Sequence, residues 1–487
     1  MDFILLLAPI LLPLIGSLCI ASPKIMPEKW VKPAVAIMVF TNLGLVTAAN
    51  LYAGGEFLHL FRVNQFIDIF LKLDQFGRLF SYMASVLWVI ASFYSFEYMK
   101  HEGRERRFFT FYIMTLSMII GLSYSGNLLT LYFFYELITL TTFPLVIHLN
   151  TEVALQIGRK YITYSFVGAA FVMIGMVLLY SATGSTKFYG GGIDGLLNYP
   201  NEQLLLFSYL SMFIGFGVKA AVVPLHAWLP ASMIAPTPVS ALLHAVAVVK
   251  SGIFALTRIT YYIYGSEVVK AVHADQILIP FAILSIVMGS LIAMSQYHLK
   301  RRLAYSTIAQ LGYITLGILM LNPYALLGAL LHMINHAVIK INLFFGVGAI
   351  TYMTEKKYVR QIGGLGKKMP MTFICFSIAA ISLIGIPPTN GFVSKWFLGL
   401  GALKSGNIGY AMILLFGALL TASYLLPIIV MAFFTNSKDK VTVDDVQLDP
   451  PKMMMIPIFI LTGMTVLLGL YPNPVIEFIQ VIVTEVF

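Results

Sequence analysis

Five ionisable residues, Glu136, Lys219, Lys250, Lys340 and Lys395, stand inside stretches that otherwise read as membrane-spanning helix. A charged side chain at the bilayer centre costs several kcal/mol, so such residues face protein or water and mark ion paths or counter-ions. One lysine can stretch its ammonium to the interface, but Lys219, Lys250 and Lys340 lie too deep for all three to do so. Glu136 occupies the middle of Leu131-Tyr-Phe-Phe-Tyr-Glu-Leu-Ile-Thr-Leu140, and Lys219 sits in Phe216-Gly-Val-Lys-Ala-Ala-Val-Val-Pro224. A carboxylate and an ammonium that meet hold each other charged; parted, each is an isolated charge in a low dielectric. Such a pair can serve as a proton switch, or as a static bridge that locks two helices.

His332, His336 and Lys340 are spaced i, i+4, i+8, which puts them on one helical stripe about 12 Å long. Three titratable groups in a line suit proton hopping through water. Metal ligation by the histidine pair is a competing chemistry, but it lacks an acidic partner of the His-Glu-x-x-His kind. Bis-histidine haem needs opposed ligands, normally from separate helices. No metal and no cofactor of the chain's own is expected.

Lys250 follows His244 by six positions, which on a continuous helix leaves the two side chains about 120° apart and facing different neighbours. His244 alone fits either an interhelical hydrogen bond or a secondary proton site. Lys395 follows Gly385-Ile-Pro-Pro-Thr-Asn-Gly391 and either snorkels or belongs to the path. Arg258, near the end of its apolar stretch, reads as an anchor.

The elements that must carry these residues are set by composition. The 487 residues are 59% hydrophobic and 11% charged, with mean hydropathy +0.87, against roughly 25% charged in a soluble domain. The chain is expected to be an all-α polytopic membrane protein. Cys19 and Cys375 form no CxxC or Cys/His spacing, so neither a disulfide framework nor a zinc or iron–sulfur site is indicated. The opening Met1-Asp-Phe-Ile-Leu-Leu-Leu lacks the basic n-region of a signal peptide and reads as a first span.

At about 20 apolar residues per span, fourteen helices are expected, near 3–21, 31–53, 76–98, 108–125, 127–149, 160–182, 204–223, 238–264, 275–296, 303–321, 325–352, 370–403, 408–434 and 453–484. Placing both termini outside puts twenty Lys and Arg in the inner loops, Lys438 and Lys440 among them, and six at the outer ones. This is the asymmetry of the positive-inside rule, and it explains the net charge of +10 without nucleic acid. The seventh and twelfth spans are broken, at Pro224 and at Gly385–Gly391, and broken membrane helices survive only where protein or a wet cavity satisfies the freed backbone. Their five-span separation suggests two inverted repeats, helices 4–8 and 9–13. The expected division is an N-terminal segment over 1–107, repeats 108–264 and 275–434, and a C-terminal helix in 453–487. Gly190–Gly195 lacks a following Gly-Lys-Ser/Thr and reads as a surface hairpin.

Over about residues 70–435 the chain resembles the antiporter-like subunits of respiratory complex I, Mrp antiporters and membrane-bound group 4 hydrogenases. The resemblance is carried by Tyr135-Glu136-Leu137, Val218-Lys219-Ala220 with Pro224-Leu-His-Ala-Trp-Leu-Pro230, and Leu243-His244 through Lys250. It continues in Leu299-Lys-Arg-Arg-Leu-Ala-Tyr-Ser306 with Gln310-Leu-Gly, His332 through Lys340, and Gly385 through Lys395. It implies two half-channels joined by a polar axis, with Glu136 and Lys219 as the switch, Lys250 and His332/His336/Lys340 as the link, and Lys395 as the end. It also implies a proton-translocating subunit of a multisubunit complex in the cell membrane, without redox chemistry of its own, beside further antiporter-like and small membrane subunits and peripheral redox subunits. Lys395, where one branch has Glu, and the absence of a long lateral helix lean toward the Mrp or hydrogenase branch. A stand-alone secondary transporter is the alternative from another class.

Overall fold

The computed structural model describes residues 2–55, 57–64, 67–435 and 448–487; Lys438 and Lys440 lie outside them. The first half contains α1 (Asp2–Ala21), α2 (Glu28–Tyr52), β1 (Leu58–Arg62), β2 (Asp68–Leu71), α3 (Gln75–Glu102), α4 (Glu105–Ser123), α5 (Leu128–Val146), α6 (Glu152–Thr183), α7 (Glu202–Lys219), α8 (Trp228–Ala231), α9 (Thr237–Ala245), α10 (Val248–Arg258), a π-helical stretch (Ile259–Tyr264) and α11 (Gly265–Ala271). The second contains α12 (Ala274–Ser295), α13 (Leu299–Leu319), α14 (Pro323–Thr354), α15 (Leu365–Lys368), α16 (Pro370–Ile384), α17 (Asn390–Lys404), α18 (Ile408–Phe434), α19 (Lys452–Leu470) and α20 (Asn473–Val486). Ten helical stretches among the described residues are long and apolar enough to cross a bilayer, which makes the chain a multi-pass membrane protein. The all-α expectation needs one amendment: β1 and β2 pair antiparallel.

Helices that are apolar on every face suit either a core or a bilayer span, and burial separates the two here. The apolar windows of α14 and of the α9–α11 run are wholly buried, whereas those of α1 and α2 leave most of their surface uncovered. Lys250, His332, His336 and Lys340 therefore lie on the innermost elements.

Both expected breaks are present, and they share one backbone pattern. At the end of α7, Ala221 N–H donates to Val218 O and Val222 N–H to Gly217 O; at the end of α16, Gly385 N–H donates to Ser382 O and Ile386 N–H to Ile381 O. These are Schellman endings, with the residue after the cap in the left-handed region: Gly385 at φ +98° and, unusually for a residue with a Cβ, Ala221 at φ +53°. A cis X-Pro bond follows each, at Val223-Pro224 and Pro387-Pro388.

The span expected to run unbroken over 238–264 is also interrupted. α9 stops at Ala245 and α10 starts at Val248, with Val246 at φ −133°, ψ −48°, and Val246 and Ala247 N–H both donate to Leu242 O. Beyond Arg258 the helix widens to the π form. The Gly-rich loop secures it, since Tyr189 N–H donates to Tyr262 O and Ile193 N–H to Ile263 O. That loop is a strap on the π stretch rather than a free hairpin.

Candidate functional site

Lys219 is the last residue of α7, at the C-terminal end of its dipole, where a cation is favoured. Its ammonium lies 3.6 Å from Glu136 Oε1, over the Tyr135 ring at 3.4 Å from the centroid, and donates to Tyr135 O. The pair is unequally buried: the Lys219 side chain is 1% exposed and Glu136 is 20% exposed. Glu136 shares a face of α5 with Phe133 and Leu140, three before and four after it, which are 44% and 52% exposed. The Glu136 side chain therefore lies at the rim of the chain with Oε1 turned inward, in a span otherwise clad in apolar residues.

Lys250 sits in the first turn of α10, the dipole end that disfavours a cation. Its Nζ is 2.9 Å from His336 Nδ1, so the contact joins α10 to α14. Two residues on, Gly252 lets α10 press on the end of α7: a Cβ there would lie 2.8 Å from the Lys219 carbonyl carbon and 2.3 Å from Ala220 N. The backbones bearing Lys219 and Lys250 are thus in contact. His244 faces elsewhere, against Phe344 with ring centroids 5.0 Å apart, and neither of its nitrogens has a protein partner. The two residues do part, although a helix break, and not only the turn of a continuous helix, separates them.

The stripe on α14 is as spaced, and its members reach α10, α13 and α17. His332 Nδ1 is 2.8 Å from Ser394 Oγ of α17 and Nε2 is 3.0 Å from Gln310 Oε1 of α13. His336 stands 6.1 Å from His332 between ring centroids. Lys340 donates to Leu303 O at 2.9 Å and Ser306 Oγ at 2.5 Å, both on α13. All three are fully buried.

Lys395 does not snorkel. Its ammonium turns into the break, donating to Leu383 O at 2.7 Å and Ile384 O at 2.9 Å, the last carbonyls of α16, which have no intrahelical partners. At the α7 break Trp228 donates its indole N–H to Val218 O at 2.8 Å, a carbonyl that also accepts from Ala221 N–H. Asn390 completes the second break: its amide meets Asn335 Oδ1, its oxygen accepts from Ser382 Oγ, and its carbonyl accepts from Asn335.

Arg258 is an anchor of an unexpected kind. It is fully buried and forks onto Asp74 at 2.5 and 2.7 Å, with Phe76, Phe188, Phe254 and Tyr262 around the guanidinium. Asp74 also caps α3 through Gly77 N–H. Sequence reading named neither Asp74 nor the neutral partners Ser306, Gln310, Asn335 and Ser394 as site residues. Ser306, Gln310, Asn335 and Ser394 stood in the family-like stretches without a role; Asp74 gave no signal until the helices were placed together.

Residues 125–421 match the family described as NADH:quinone oxidoreductase/Mrp antiporter, transmembrane. The match spans every residue from Glu136 to Lys395. The chain belongs to this family. An NADH-quinone oxidoreductase subunit from Desulforudis audaxviator is 33% identical over 393 residues, 77% of each chain. A Na(+)/H(+) antiporter subunit from Alkalihalophilus pseudofirmus is 28% identical over 479 residues, 97% of this chain and 95% of that one. Among solved structures, a chain of the membrane-bound sulfane sulfur reductase, an archaeal respiratory membrane complex, shares the fold with TM-score 0.86 at 24% identity, over 99% and 98% of the two chains. In this family member, the buried lysines and histidines thus lie on a fold that the solved chain shares end to end.

Proposed function

We propose that the chain is a proton-translocating, antiporter-like subunit of a multisubunit membrane complex, and that Glu136, Lys219, Lys250, His332, His336, Lys340 and Lys395 are its proton stations, with His244 as a secondary site. The observation that carries this reading is the placement of Glu136 at the rim of the chain beside exposed Phe133 and Leu140. A carboxylate in hydrocarbon needs a polar partner, and Lys219 covers it from one side only. A neighbouring subunit supplies the other side, which a stand-alone transporter would lack.

In this reading Glu136 and Lys219 are the switch, Lys250 hands on to the α14 stripe through His336, and Lys395 ends the path at the α16 break. The movement is driven, in this reading, by partner subunits rather than by a redox group of the chain's own. The fourteen-span topology has both termini on the non-cytoplasmic side of the plasma or inner membrane, with inverted repeats in 108–264 and 275–434 between an N-terminal segment over 1–107 and a C-terminal segment over 453–487. The shared backbone pattern at the two breaks supports the repeat. Protons suit these stations better than sodium, which seeks hard oxygen ligands.

Purification from native membranes in a mild detergent tests the assembly. Co-purification of other membrane subunits, with a cross-link from a cysteine at Phe133 or Leu140 to one of them, is expected. A monodisperse single chain that exchanges cations in liposomes would overturn the reading.

A further inference from the structure

We propose that Gln310 and Ser394 decide which nitrogen of His332 exchanges its proton: Gln310 keeps Nε2 as a standing N–H donor, and exchange occurs only at Nδ1, through the Ser394 hydroxyl. This rests on the reading of His332 as a proton station.

The hydrogen-bond bookkeeping around the ring sets both roles. Thr421 Oγ donates its single proton to Gly417 O at 2.8 Å, and receives the Tyr424 hydroxyl at 3.4 Å. Toward Gln310, 3.3 Å away, Thr421 is therefore an acceptor. The Gln310 amide must turn its NH2 to Thr421 and its oxygen to His332. An amide oxygen has no proton to give, so the Nε2–H that faces it at 3.0 Å stays in place whether the ring is neutral or cationic.

Ser394 differs, because its one proton has two claimants, Gly391 O at 3.1 Å and His332 Nδ1 at 2.8 Å. With a cationic ring, Nδ1–H donates to Ser394 Oγ and the hydroxyl proton goes to Gly391 O. On release, the hydroxyl turns from Gly391 O and gives its proton to water on that face as the Nδ1 proton passes to Ser394 Oγ; the electron pair stays on nitrogen and the renewed hydroxyl donates to it. One rotation of Ser394 accompanies each ionisation. His332 is then no through-relay between its two nitrogens, because the Gln310 side is closed to protons. It loads and unloads on the face that α17 presents, and the residue after Ser394 is Lys395. Gln310 is a positioning residue and Ser394 the relay hydroxyl.

The test is proton transport in membrane vesicles from cells that express the chain with its partner subunits, normalised to assembled complex. Ser394→Ala is expected to slow transport roughly tenfold or more, Ser394→Thr to restore most of it, and Gln310→Met to slow it while leaving assembly intact. In a His332→Ala background, Ser394→Ala should add no further loss. If Ser394→Ala does not assemble, Ser394→Cys takes its place in each comparison. Wild-type transport by His332→Ala would remove the station itself. Impaired His332→Ala beside unimpaired Ser394→Ala, a Ser394→Thr as slow as Ser394→Ala, or additive losses in the double variant would overturn the Ser394 assignment alone.

Discussion

Lys250 Nζ lies 2.9 Å from His336 Nδ1, and this contact joins α10, whose backbone presses on Lys219, to the α14 stripe. His336 Nε2 has no protein partner, so Lys250 is the only protein hydrogen-bond partner of this ring among the described residues. Lys250→Met keeps roughly the length and apolar stem of the side chain and removes the contact with His336. It should assemble, yet slow proton transport by roughly tenfold or more, and His336→Ala on top of it should cost little more. Transport per assembled complex, in the four variants of the cycle, checks this; independent losses would contradict it.

The two breaks differ in one residue type with a measurable consequence. Ala221 holds φ +53° with a Cβ, a conformation that glycine adopts at lower cost. Ala221→Gly should stabilise the purified complex by about 0.5–1 kcal/mol, the left-handed cost of roughly 1–2 kcal/mol less the entropic cost of glycine, roughly 0.5–1 kcal/mol. Gly385→Ala should do the reverse by about 1–3 kcal/mol, because its φ is +98° and a Cβ would lie 2.9 Å from Lys395 Cδ. Thermal unfolding of the two variants side by side reads both signs.

A pH response is expected from the loop ahead of α13. His298 and Lys300 line a cavity of about 590 Å³ with Tyr98, Glu102 and Lys357. Burial pushes the His298 imidazole down to about 4, and Lys300, Arg301 and Lys357 push the same way. The unfolded residue titrates near 6.5. Between these values the unfolded chain binds the additional proton, so stability falls as pH drops from about 6.5 to about 4 and is regained on raising it. His298→Gln should flatten the fall in melting temperature over that window; an unchanged fall would contradict the assignment.

Much of this was legible in the sequence, and the rest was not for identifiable reasons. Charges inside apolar runs located Glu136, Lys219, Lys250, Lys340 and Lys395, because burying a charge is too costly to be incidental. The i, i+4, i+8 spacing placed His332, His336 and Lys340 on one stripe. Pro224 and Gly385-Ile-Pro-Pro marked two breaks by the residues that stop helices. The third, at Val246-Ala247, has neither proline nor glycine, so nothing local announces it. The partners Gln310, Ser394, Asn335 and Asp74 are neutral or ordinary in their own segments, and they acquire a role only across helices far apart in the chain.

Proton transport by Lys219→Met and Glu136→Gln, in vesicles that hold the fully assembled complex, tests the central claim most directly. The proposed switch predicts that each variant assembles and that transport falls by roughly a hundredfold, with the double variant no worse than the slower single one. Wild-type transport by either variant, at normal assembly, would contradict the account and leave the 3.6 Å pair as a static bridge.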